Sequence, residues 1–152
     1  MHKATEITRA IHENVLIVVS FAYGLPSIEK VIQKHFKGEW KNLNRTIFET
    51  GEKRADRALL ELATQLRVLD DAQNLAPRFP ASFGNVTQGD GKVTDLFFRD
   101  MTNKVIHGAE YSWRLKEKAG PSVNITSGDP TRWQNADVHV LPFMALAGIL
   151  DF

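Results

Sequence analysis

Apolar residues recur at steps of three and four through residues 3–23, where Ile7, Ile11, Val15, Val18, Val19 and Ala22 mark one face of a helix. Gly24 and Pro26 predict its end. Pro26-Ser27-Ile28-Glu29 then reads as the start of a second helix, running to about Phe36 with Ile28, Val31, Ile32 and Phe36 on one side and Gly38 as its stop. A further helical segment is expected over 40–50, broken or bent near Gly51. A strong helix over 53–72 follows, with Ala55, Leu59, Leu62, Ala63, Leu66 and Leu69 as its apolar stripe. Residues 73–92 hold two prolines, three glycines and several amide and carboxylate side chains, which predicts a long loop, pinned to the core by Phe79 and Phe83. A fourth major helix is expected from about Val93 to Gly108, with Val93, Phe97, Met101 and Val105 facing the core.

After Gly108 the period shortens to two. Tyr111, Trp113 and Leu115 alternate with Ser112, Arg114 and Lys116, as in a half-buried strand. Gly120-Pro121 makes a turn before Val123 and Ile125, and Gly128-Asp129-Pro130 makes another before a strand through Val138 and Val140. Phe143–Leu150 reads as a short closing helix. The expected fold is mainly α (α+β), one domain over 1–152. It has a helical bundle to residue 108, a strand-rich tail over 109–141 forming an antiparallel sheet of about three short strands, and a closing helix within 142–152.

Composition narrows the function classes. A chain of 152 residues with 43% apolar and 24% charged residues suits one globular domain with its own core. The absence of cysteine excludes disulfides, thiolate metal sites and a cysteine nucleophile, and it fits a cytoplasmic protein. Nineteen basic against eighteen acidic residues give no global attraction to polyanions or membranes, so any electrostatic function is local. The apolar stretch Val15–Leu25 is shorter than the roughly 20 residues a bilayer requires and reads as a core helix, with no membrane partner expected. His2, His12, His35, His107 and His139 share no metal-ligand spacing, so neither a metal nor a cofactor is expected.

Candidate chemistry concentrates on the 93–108 helix. Arg99, Asn103 and His107 stand at steps of four and stack along one side, flanked by Leu96 and Ile106. Such a mixed side suits a groove or an interface. A guanidinium makes paired hydrogen bonds to phosphate, and an imidazole titrates near neutrality and can move a proton. RNA supplies its own 2′-hydroxyl nucleophile, so this trio could cleave it without a metal. The same residues have structural uses: Arg99 pairing with Asp95 or another acid, Asn103 satisfying a loop backbone, and His107 sitting at a helix C-terminus where positive charge is favoured. A second basic feature lies upstream, where Lys30, Lys34, Lys37, Lys41, Arg45, Lys53, Arg54 and Arg57 outnumber Glu39, Glu49, Glu52 and Asp56, with Trp40 and Phe48 interleaved. Its densest part, Lys53, Arg54 and Arg57, is either a nucleic-acid-binding footprint or a solvated helix face.

The stretch Phe98-Arg99-Asp100-Met101-Thr102-Asn103-Lys104-Val105-Ile106-His107-Gly108 resembles the Arg-to-His helix of HEPN-type domains. It is more closely similar to uncharacterised bacterial proteins with an Arg-x-x-x-Asn-Lys-Ile-Ile-His-Ala type motif, and Gly128, Trp133 and Val138–Leu150 match the tail of that group in kind. The resemblance implies a small helical domain, usually a homodimer, of the bacterial toxin or phage-defence type, and in many members a metal-independent ribonuclease. By that resemblance His107 would be the general acid or base, Arg99 the phosphate clamp, and Asn103 the polar residue that follows the family arginine. One departure is visible: Thr102, not an arginine, directly precedes Asn103. Arg99 and His107 are then two turns apart, about 12 Å at 1.5 Å per residue, long for one phosphate within one protomer, and a dimer could bring one chain's Arg99 toward the other's His107. The expected function is RNA binding with metal-independent endoribonuclease activity as its catalytic form. The alternatives are a non-catalytic module with a protein partner (antitoxin-like, immunity or phage-encoded inhibitor) and a small-molecule binder using a cleft beneath the 73–92 loop.

Overall fold

The computed structural model describes residues 2–36, 38 and 41–150; Lys37, Glu39 and Trp40 of the basic stretch lie outside the described residues. Two long helices, α1 (His2–His35) and α2 (Lys41–Gln73), form a hairpin in which each is a single helix rather than the two segments expected. Pro26 lies inside α1. An internal proline costs about 3 kcal/mol through its missing N–H and its clash with the preceding turn. Ala22, Leu25 and Ile32 around it are buried, and burying each large aliphatic side chain returns roughly 1.5–3 kcal/mol, so the continuous face prevails over the break. Gly51 does not bend α2 but lets it approach Phe21, whose ring would lie 3.3 Å from a Cβ at that position. The hairpin core pairs Ile11, Val15, Val18 and Ala22 with Leu59, Leu62, Leu66 and Leu69, and Asn14 Nδ2 donates to Gln65 Oε1 across it at 3.0 Å. Within α1, Glu6–His35 is long and apolar enough to cross a membrane by length and composition alone, yet its buried side packs on α2.

The sheet has five strands, two more than expected: β1 (Gly84–Gln88), β2 (Val93–Asp95), β3 (Gly108–Arg114), β4 (Ser122–Ser127) and β5 (Trp133–His139). All pairs are antiparallel, in the order β2-β1-β5-β4-β3. The extra strands β1 and β2 come from the segment read as loop and from the start of the expected fourth helix, so the chain is not helical throughout 1–108. Val86 is the sole apolar residue between Phe83 and Val93 apart from glycines, too little for the alternation to be read. Gly84 has φ +141°, and a Cβ there would fall on the Asp137 carbonyl, so this strand crossing requires glycine. A short 3-10 turn, Ala76–Arg78, occupies part of the remaining segment, and Phe79 and Phe83 are buried as expected. The last strand begins at Trp133 and ends at His139, before Val140.

Helix α3 (Phe98–His107) starts five residues later than expected because β2 takes Val93–Asp95. Phe97 becomes its extended N-cap. Val93 and Phe97 are therefore 61% and 52% exposed, and the core side consists of Phe98, Met101, Thr102 and Val105. The final helix, α4, spans Leu141–Ile149 with Pro142 in its first turn, where a missing N–H costs nothing.

Cross-strand register sorts the two faces of the sheet. Val86, Ala136, Ile125 and Tyr111 form one inward row, and Val138, Val123 and Trp113 another. Asn85, Asp137, Asn124 and Ser112 form a polar outward row, in which Asn124 Nδ2 donates to Asp137 Oδ1 at 2.7 Å. Phe83 is the meeting point of the inner layer, with ring centroids 5.1 Å from Phe79, 6.1 Å from Phe98 and 5.1 Å from Phe143. Phe83→Ala is expected to lower the unfolding free energy by about 3–5 kcal/mol in urea titrations, because it empties a fully enclosed aromatic site joining β1, α3 and α4.

Candidate functional site

Arg99 projects from the first turn of α3 back to the end of α2. Its Nη1 donates to Asp70 Oδ2 and to Asp71 Oδ1, each at 2.8 Å. Those carboxylates lie in the last turn of α2, which carries no basic residue, so they add to the partial negative charge of the helix C-terminus. The guanidinium offsets that cost. Asp70 is engaged twice, since its Oδ1 accepts from the Ala76 N–H at 2.6 Å. Hydrogen bonds to Asp71 and then Asp70 push the Arg99 pKa up from an already high value. Asp95, four residues earlier on the chain, is not the acid that Arg99 uses.

Asn103 and His107 face elsewhere. Together with Lys104 they form one wall of a cavity of about 550 Å³, whose other wall is the β4–β5 turn with Ser127, Asp129, Arg132 and Trp133. The Lys104 side chain is buried, with Nζ 3.1 Å from Asp100 Oδ1 and 5.0 Å from the centroid of the Trp133 ring. Asp129 closes its own turn: the Thr131 hydroxyl donates to Oδ1 at 2.5 Å and the Thr131 N–H at 3.2 Å, which holds this carboxyl below the usual range. Tyr111 donates its hydroxyl to the Val105 carbonyl at 2.6 Å, satisfying one of the terminal carbonyls of α3. Burial, with Asp56 adding, pushes the Tyr111 pKa up to about 12 and keeps that donor protonated. His107 is exposed and has no hydrogen-bond or ion-pair partner among the described residues. The Arg99-Asn103-His107 row is thus divided, with one end in an ion pair and the other in a groove.

The α2 cations occupy a second depression. Lys53, Arg54 and Arg57 line a cavity of about 430 Å³ against Asn14 of α1, with Glu61 as its acid. All three are exposed and have no ion-pair partner among the described residues. Arg57 also lines a third cavity, of about 640 Å³, with Asp56, Glu110 and Gly108. His107 of the α3 groove precedes Gly108, which lines this middle cavity. Its floor is acidic. Asp56 Oδ1 accepts from Trp113 Nε1 at 2.6 Å; burial nevertheless raises the Asp56 pKa. Burial, and then the neighbouring Asp56 charge, raise Glu52. Lys104, Arg132 and Trp133 were not singled out by the sequence as site residues. Lys104 sits inside the motif itself, and Arg132-Trp133 closely follows the Gly128-Asp129-Pro130 turn, where two chemistry-bearing side chains leaving a turn together are the available signal.

Arg99→Ala is expected to lower the melting temperature by a few degrees, with Arg99→Lys recovering part of the loss, because the role is to hold Asp70 and Asp71. Glu52→Gln tests the raised carboxyl beside Asp56. Its folded-state pKa is raised, so ionisation disfavours the fold as pH rises through that value. The variant should melt higher than the parent at pH 7 and indistinguishably at about pH 3, below both carboxylate pKa values. No family model, curated protein or solved structure matches the chain.

Proposed function

We propose that this chain is a HEPN-like bacterial module of the toxin or defence type that binds single-stranded RNA in the cytoplasm. The strand would follow the track from Lys53, Arg54 and Arg57 of α2 to Asn103 and His107 of α3. The observation that carries this reading is the sharing of lining residues: Arg57 lines two of the three depressions, and the chain neighbours His107 and Gly108 line the α3 groove and the middle cavity. The unpaired cations of α2 suit a phosphate backbone, whose counterions they release, whereas Asp56 and Glu110 line the middle cavity and add no grip there. The reading favours binding over cleavage. Within one protomer the Arg99 guanidinium is held by Asp70 and Asp71, so it does not serve as a clamp beside His107.

A homodimer is the second part of the proposal, supported by an apolar cavity of about 400 Å³ between α1 and α2, lined by Leu16, Phe21, Leu25, Ile28 and Ile47. Leu16 and Val31 of α1 are 66% and 52% exposed, which also favours the alternative of a protein-interaction module that does not touch RNA.

Fluorescence anisotropy with a labelled single-stranded RNA separates these readings. Replacing Lys53, Arg54 and Arg57 together by alanine should weaken binding and reduce the slope of log affinity against log salt by about 2, since each phosphate neutralised on a single strand contributes roughly 0.7. Arg99→Ala should leave affinity unchanged, and the RNA should stay intact in chelator. An unchanged triple variant would point to the interaction module, and cleavage abolished by His107→Ala would restore the nuclease.

A further inference from the structure

The groove between α3 and the β4–β5 turn holds more cationic chemistry than a passing backbone needs. Lys104 and Arg132 come from opposite walls, with His107 and Asn103 beside them, in a space of about 550 Å³. Such a volume falls in the range of small-ligand pockets. Two carboxylates oppose that charge, Asp129, already turned onto Thr131, and Asp100, paired with Lys104. Lys104 is pre-positioned: Asp100 takes one ammonium proton and the Trp133 face lies beneath another, leaving a third for a ligand. Ser127 Oγ accepts the Asp129 N–H at 2.9 Å, so its own proton is free to donate. Arg132 is exposed, with no ion-pair partner among the described residues.

The geometry points to a phosphate monoester site, in which Arg132 and Lys104 grip the terminal phosphate of a nucleotide and His107, Asn103 and Ser127 complete its hydrogen bonds. This deepens the RNA reading and rests on it for the choice of phosphate over other anions. Several donors converging from two walls match a terminal phosphate with three free oxygens better than a diester with two. The Trp133 ring is buried, with Lys104 over one face, so the groove offers no aromatic platform for a base. The site therefore selects the phosphate and ignores the base. The monoester has two candidate sources, an RNA end and a free nucleotide.

Calorimetric titration of the full chain with adenosine 5′-monophosphate, uridine 5′-monophosphate and adenosine tests the site. Both monophosphates should bind with similar affinity and adenosine should not. Arg132→Ala, on an exposed turn, should weaken the monophosphates about tenfold, as expected for removing one charge-assisted hydrogen-bonding partner, with the melting temperature unchanged. Lys104→Gln should do the same, and its thermal melt reports whether the fold survives. Adenosine binding as tightly as its monophosphate, or monophosphate binding indifferent to Arg132→Ala, overturns the site. A matched pair of RNAs with 5′-phosphate and 5′-hydroxyl ends then assigns the source. Tighter binding of the phosphorylated RNA, abolished in Arg132→Ala, identifies RNA ends, whereas equal binding beside monophosphate capture identifies free nucleotides. Monophosphate capture with no RNA binding sinks the RNA track and keeps the groove; RNA binding without monophosphate capture does the reverse.

Discussion

Two carboxylates at the C-terminal end of a helix repel the partial charge already there, and one guanidinium from the next helix holds both. The Arg99 bonds to Asp70 and Asp71 fix the start of α3 against the end of α2, and Asp70 at the same time ties down the Ala76 N–H in the connecting turn. This node couples the helical hairpin to the part of the chain that forms the sheet. Once the N-terminal end of α3 is anchored there, its C-terminal end is carried toward the β4–β5 turn, and Asn103, Lys104 and His107 face Arg132.

The node also divides labour along a single helix. A guanidinium shared by two carboxylates is close to neutralised, so the acidic end of α3 has little attraction for a polyanion. At the other end Arg132 has no ion-pair partner among the described residues and leaves a local positive charge, beside an exposed imidazole and a lysine held between Asp100 and an indole face. That contrast arises in a chain whose total charge is +1, and only the folded arrangement produces it.

The apolar stripes of both long helices were legible because periodicity survives a proline or a glycine when the buried face is strong. Pro26 and Gly51 were misleading for the same reason: local propensity is a weak prior beside a long buried face, and Gly51 serves the approach of Phe21 instead of a bend. Strands β3 and β4 showed their alternation, but β1 and β2 did not, since each is short and Val86 alone faces the core there. The missed start of α3 followed from that, and with it the assignment of Phe97 and Val93 to the core. For the site, the step of four found Asn103 and His107 correctly on a common wall. It could not reveal that Arg99 has partners 28 and 29 residues upstream, nor that Arg132 arrives from a turn far along the chain. Those are tertiary facts, set by packing and absent from local spacing.

Amide NMR spectra of the protein titrated with a short single-stranded RNA bear most directly on the central claim, that ligand meets the His107 end of α3 and not the Arg99 end. The resonances of His107, Gly108, Arg57 and Arg132 should move together while those of Asp70, Asp71 and Arg99 stay in place. Shifts concentrated at Asp70, Asp71 and Arg99, with the groove unperturbed, would contradict it.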